Sequence, residues 1–319
     1  MRDREKIIRI GLLGLGHMGK HHLRNLTMIK QVDLAFVYDT DEEIKKQTAE
    51  QYNLKATENI EQDLSSVDAV IIVTPTHTHF DYIKVASEYV KYIFVEKPLT
   101  ENFATTLDIV KLSQEKDIKI QVGFIERYNT ALTALNKIIA NSNNIINVDF
   151  SRTNKVSSRI TDVDVVLDLM IHDIDLALYI NGKPRLINAH GYIKNNIIEY
   201  ARAIITHENG RFSNIVASRI TEKKIRSVNA TCDDMYIDCN LTSKQVFVNK
   251  QTTQQYLDSV SITSKEETIH VAPQEALLLE LIDFVKLCSG QQVAVPDEKD
   301  ALNAIIVAET IKTKIMEGS

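Results

Sequence analysis

An apolar run that breaks on a spaced set of glycines constrains this chain more than any other stretch. Ile7 to Leu13 is interrupted only by Arg9 and Gly11, and Gly14-Leu15-Gly16-His17-Met18-Gly19 follows before a helical stretch over 20–29. Near-continuous apolar character is what a strand covered on both faces needs. Between a strand and a helix, the first glycine permits a tight turn, the second lets a ligand approach the backbone, and the third lets the helix close on the strand. The N–H groups at the helix start then suit a pyrophosphate. A second strand, Val32 to Tyr38, ends in Asp39, where an acid can accept from ribose hydroxyls. Asp39 followed by Asp41, Glu42 and Glu43 would repel a ribose phosphate, which predicts NAD rather than NADP. A competing role for Asp39 is to cap the helix that starts near Asp41.

Further strands keep the alternation with helices. Ala69 to Val73 runs into Thr74-Pro75, and Tyr92 to Val95 runs into Glu96-Lys97-Pro98. This order predicts a doubly wound parallel sheet whose ligand crevice lies at the carboxyl ends of its strands. Proline stops the last of these strands because it has no N–H to donate. Lys97 is thereby presented beside the crevice, and a lysine's pKa falls readily when the group is desolvated. The bland alternative is a surface lysine ending a strand. His17, His77 and His79 read as lining the nicotinamide end of the crevice. No cysteine or second carboxylate cluster accompanies the His77-x-His79 pair, so no metal site is expected. His21 and His22 read as structural.

The chain has 319 residues, which predicts two domains, 1–122 and 123–319. A net charge of −6 without a basic run argues against nucleic acid. No apolar run is long enough to span a bilayer, and the charged start does not read as a secretory signal. Cys232, Cys239 and Cys288 have no metal-like spacing, as expected of idle thiols in a reducing cytoplasm.

Past Gly123 the character changes. Closely spaced alternating segments from Ile145 to Val248 predict a large, mostly antiparallel sheet. Two amphipathic helices, Pro273 to Leu287 and Asp297 to Met316, close the sequence, the last a candidate to return to the first domain. Asp168 and His172 stand one turn apart on a helix expected to run to about Ile180, so they share a face. A carboxylate that orients an imidazole suits a general base. The alternative is a helix-start acid and an ordinary half-buried histidine.

The glycine loop, Thr74-Pro75 with His79, Glu96-Lys97-Pro98 and Asp168-x-x-x-His172 resemble, in order and spacing, the Gfo/Idh/MocA oxidoreductases over nearly the whole chain. The resemblance implies a Rossmann domain and a second α/β domain with an open sheet. It also implies homodimers or homotetramers packed through that sheet, a cis Lys97–Pro98 bond, and Lys97, Asp168 and His172 as the catalytic set. Gly14, Gly16, His17, Met18, Gly19, Asp39, Thr74, Pro75, His79, Glu96 and Lys97 are then expected at NAD. Val122 to Asn129 and Arg159 to Asp168 look like a branch that oxidises carbon 3 of UDP-N-acetylglucosamine, departing from it at Thr130 (usually proline) and Asp164 (often glycine). Arg127, Asn129, Arg152 and Arg159, with His172, are the expected substrate contacts, since a diphosphate favours guanidinium forks. Other sugars or polyols (a UDP-uronic acid, an aldose, an inositol), and a silent NAD-binding sensor, are the rival expectations.

Overall fold

The computed structural model describes residues 6–142, 144–155, 163–256 and 259–318. The chain divides into two compact units: Met1–Ile125 with Glu275–Leu302, and Glu126–Gln274 with Asn303–Ser319.

In the first unit, β1 (Ile8–Leu13), β2 (Val32–Tyr38), β3 (Lys55–Ala56), β4 (Ala69–Ile72), β5 (Tyr92–Glu96) and β6 (Lys119–Gly123) form one sheet in the order β3-β2-β1-β4-β5-β6. Every pairing is parallel. Helices α1 (His17–Leu26), α2 (Glu42–Tyr52), α3 (Ile60–Leu64), α4 (Thr76–Ala86) and α5 (Phe103–Glu115) supply the crossovers. The strand order reverses direction at β1, and such a switch point leaves a crevice at the carboxyl ends of β1 and β4.

A helix from much later in the chain completes this core. After α6 (Thr130–Ile139) and α7 (Ile171–Asn181) in the second unit, α8 (Ala276–Cys288) belongs to the first. Its Leu277, Leu281, Phe284 and Val285 join Leu23, Leu26 and Phe94 in one buried cluster. Glu275 accepts from Asn25 Nδ2 at 3.0 Å and pairs with Arg24, pinning the start of α8 to α1. Helix α8 therefore returns to the first unit, as does the first turn of the last helix, where Ser113 Oγ donates to Glu298 Oε1 at 2.8 Å; the first stretch of that unit runs to Ile125. The last helix, α9 (Glu298–Glu317), contributes mostly to the second unit.

The second unit carries β7 (Ile145–Thr153), β8 (Pro184–Lys194), β9 (Ile197–His207), β10 (Phe212–Ser218), β11 (Ile225–Cys232), β12 (Met235–Asn240), β13 (Gln245–Tyr256) and β14 (Ser259–Ile269). They lie in the order β14-β13-β12-β11-β7-β10-β9-β8. All neighbours are antiparallel except β7 and β10. Strand β14 has no counterpart in the sequence reading. It is an edge strand whose stretch Ser264-Lys265-Glu266-Glu267-Thr268 is polar and exposed, so the apolar alternation of Val260 and Ile262 does not continue. Among the described residues no helix is long and apolar enough to cross a membrane.

Candidate active site

The first unit holds a cleft of about 570 Å³ at the carboxyl ends of its strands. Gly14, Gly16 and Met18 line it after β1, Tyr38 and Asp39 at the end of β2, Thr74, Pro75 and His77 after β4, and Glu96 and Lys97 at the end of β5. Gly14 has φ +96, and a Cβ there would lie 2.5 Å from the Val73 carbonyl oxygen. A Cβ on Gly19 would come within 2.1 Å of the Gly14 oxygen, so α1 can start where it does only because Gly19 has no side chain. Gly16 faces open space and caps α1 without a side-chain bond. The first N–H groups of α1 therefore keep their capacity for an anion.

Asp39 is held in place before any ligand arrives. Its Oδ2 accepts from Leu15 N at 2.7 Å and its Oδ1 from Asp41 N at 2.9 Å. The cap of α2 falls to Asp41, whose Oδ1 takes Glu43 N and Ile44 N. Glycine cradle, uncapped helix start and fixed acid together fit a dinucleotide with an unphosphorylated ribose.

Two histidines brace this cleft. His79 is buried, with Nδ1 at 3.0 Å from the Pro98 oxygen and Nε2 at 2.9 Å from the Thr74 oxygen. Burial pushes its imidazole below the ordinary value against the pull of both carbonyls. The expectation that His79 faces the cofactor is corrected: it ties the Thr74 loop to Pro98 from beneath. His17 is exposed at the start of α1 and is not part of the cleft lining, which takes His77 instead. His22 is fully buried, its Nε2 lying 2.8 Å from Glu96 Oε1. The other Glu96 oxygen accepts from Lys97 N at 3.2 Å, and Gly123 leaves the room that carboxylate needs. The Lys97–Pro98 peptide is cis.

The second unit builds its polar array differently. Val166–Met170 is a π-turn leading into α7, so Asp168 sits on an irregular turn and His172 at the start of regular helix. Such π-turns recur at functional sites. Asp164 Oδ1 caps the turn by accepting from Val166 N and Leu167 N at 2.9 and 3.0 Å, while its Oδ2 holds Lys312 Nζ at 2.7 Å. Thr130, the other departure from the branch pattern, opens α6 at the position where proline is tolerated, behind an Asn129 cap.

Two forks anchor α7 next to His172. Arg152 grips Asp173 through Nε and Nη2 at 2.9 and 2.8 Å and reaches Glu126 with Nη1 at 2.8 Å, all three buried. Arg127 grips Asp175 at 2.9 and 2.6 Å and lies over the Tyr179 ring. Burial pushes the Asp173 carboxyl up against the pull of Arg152. Burial acts on Glu126 the same way, but there Arg152, with Asn129 and Arg226, holds the carboxyl below its ordinary value.

Three of the residues expected at the substrate are engaged within the second unit. The forks of Arg127 and Arg152 close on acids of α7, and Asn129 caps α6 while donating to Leu241 O and Glu126. Arg159 lies outside the described residues. Conversely, Arg219 donates to Asp168 Oδ2 at 3.1 Å, a partner the sequence did not announce. His22 had a legible cue, standing one helical turn beyond Gly19. Arg219 had none, being one arginine at one strand end.

Residues 8–124 match the oxidoreductase family described by its NAD-binding Rossmann fold. UDP-N-acetylglucosamine 3-dehydrogenase of Acidithiobacillus ferrooxidans is 28% identical over 89% of this chain and 90% of its own length. A solved structure of that enzyme superposes with a TM-score of 0.88 at 26% identity, covering 97% of this chain and 98% of the other. The scyllo-inositol 2-dehydrogenase (NAD(+)) of Bacillus subtilis is 32% identical over 67% of this chain and 68% of its own.

Proposed function

Because this chain belongs to the Gfo/Idh/MocA oxidoreductases, we propose that it oxidises a secondary hydroxyl of a sugar, at carbon 3 of UDP-N-acetylglucosamine. The observation that carries the substrate is the likeness to a UDP-N-acetylglucosamine 3-dehydrogenase over nearly the full length of both chains. The inositol dehydrogenase is more similar residue for residue but over only about two thirds of each chain, which makes a polyol the second reading.

NAD, when bound, supplies the hydride acceptor. Gly14, Gly16 and the start of α1 hold its pyrophosphate, and Asp39 its adenosine ribose. His172 takes the hydroxyl proton as general base, and Asp168 orients the imidazole and stabilises its cation. Lys97 donates to the oxygen as it gains negative charge, where a fixed donor contributes most. His22 and Glu96 fix the backbone that presents Lys97. Of the four side chains first expected at the nucleotide sugar, Arg159 is kept as the diphosphate donor.

Mass spectrometry of UDP-N-acetylglucosamine incubated with protein and NAD tests this directly. The expected product is two hydrogens lighter and absent with Lys97→Ala. A product from an inositol and none from the nucleotide sugar would replace the substrate with the second reading.

A further inference from the structure

Arg219 directly follows β10, and its own N–H bonds the Glu199 carbonyl of β9 at 2.9 Å. Its side chain is 1% exposed, against 22% for Asp168, which it meets through Nη2. Nε and Nη1 are buried as well and have no hydrogen-bond partner among the described residues. Burying a guanidinium with donors unmatched is costly, and a buried ion pair is weak evidence of net stabilisation. Asp168 keeps part of its surface open to water. What Arg219 adds is direction: a planar donor, tethered to two neighbouring strands, sets the rotation of one carboxylate.

Three acids around this turn are already engaged. The turn packs on β9, β10 and α7. Asp164 is paired with Lys312 at 2.7 Å, Asp173 with Arg152 at 2.8 Å and Asp175 with Arg127 at 2.6 Å. Beyond these, β9 carries Glu199, Tyr200, Arg202 and His207, and α7 carries Tyr179. Arg219 touches Asp168 directly, Nη2 to Oδ2 at 3.1 Å.

Resting on the function proposed above, we infer that Arg219 is a positioning residue, fixing the Asp168 carboxylate and, through it, the protonation of His172. A carboxylate beside an imidazole favours its cation, and an arginine on that carboxylate offsets part of the effect. Removing the arginine's charge then raises the midpoint of His172, whereas lysine preserves it.

Histidine NMR titration of the full-length protein reads this without substrate, with the His172 signal identified by its loss in His172→Asn. Arg219→Met is expected to raise the His172 midpoint by roughly half to one pH unit, and Arg219→Lys to leave it near wild type. The acid limb of kcat/KM should move with it while the thermal midpoint stays close to wild type. Arg219→Gln, a neutral donor of similar reach, takes the place of the methionine variant if that one does not fold. A merely structural arginine predicts the opposite pattern: a lower thermal midpoint and an unmoved titration. Asp168→Asn separates the two levels. If it lowers the His172 midpoint and Arg219→Met changes nothing, the role of Arg219 is overturned alone. If Asp168→Asn also changes nothing, the pairing of Asp168 with His172 falls, and this inference with it.

Discussion

The cleft of the first unit is made of backbone, and the polar array of the second is made of charge. Around Gly14 to Gly19 the chemistry resides in N–H groups, missing Cβ atoms and one carboxylate fixed by main-chain bonds. Around His172 it resides in arginines and acids that arrive from β7, β10, α7 and the segment after β6. A backbone site depends on local conformation and tolerates little change at a few positions. A charge site depends on pairing between distant residues, and the damage from one change depends on what is left unpaired.

The sharpest break in that comparison comes at the chemistry. Lys97→Ala and His172→Asn should each lower kcat by roughly 10²–10⁴. NAD affinity, followed by the quenching of protein fluorescence or by calorimetry, should stay within about twofold. A parallel loss of NAD binding in Lys97→Ala would mean that this lysine belongs to the backbone cleft rather than to the reaction.

Next in size are the forks under α7. Arg152→Met leaves Glu126 and Asp173 buried without their common partner, and breaking a buried pair from one side costs about 3–5 kcal/mol. Denaturant unfolding should show a loss of that order, and Arg152→Met with Asp173→Asn together should cost less than the sum of the two. Additive losses would show that the two residues do not act as a pair. Gly19→Ala tests the other kind of site. Its Cβ would meet the Gly14 oxygen, so α1 must shift at a cost of about 1–3 kcal/mol. NAD affinity should fall more than tenfold, with only a modest drop in thermal midpoint. Unchanged affinity would remove the glycine cradle from the account.

The same contrast explains what could be read from the sequence. The parallel sheet, the glycine cradle and the position of Lys97 were legible because glycine, proline and apolar runs report local conformation. Asp168 and His172 were legible as a one-turn spacing, although the turn beneath them is a π-turn and not regular helix. The partners were not legible. Arg127 and Arg152 look from sequence like donors for a diphosphate, since an arginine's charge says nothing about whether it points to solvent or to an acid on α7. His79 failed for a related reason, because H-x-H spacing does not reveal that one imidazole lies under a loop between two carbonyls. Helix α8 carries its apolar face plainly, but which sheet receives that face is a tertiary fact.

The smallest expected effect links the two units through one kind of residue. Each unit holds a buried histidine whose imidazole burial pushes below its ordinary value, His79 in the first and His207 in the second. His207 sits 2.8 Å from the Gly182 oxygen and 2.9 Å from Ser213 Oγ, joining the end of α7 to β10. With the folded value depressed, the unfolded chain binds more protons just below about pH 6.5. The stability these groups contribute is therefore complete above that pH and is lost as pH falls through the lower, folded value. Thermal midpoints of the wild-type protein should fall between pH 7.5 and 5. His207→Asn and His79→Asn should each start lower at pH 7.5 and decline less steeply. Should either variant keep the full wild-type slope, its histidine is not among the groups that titrate on unfolding.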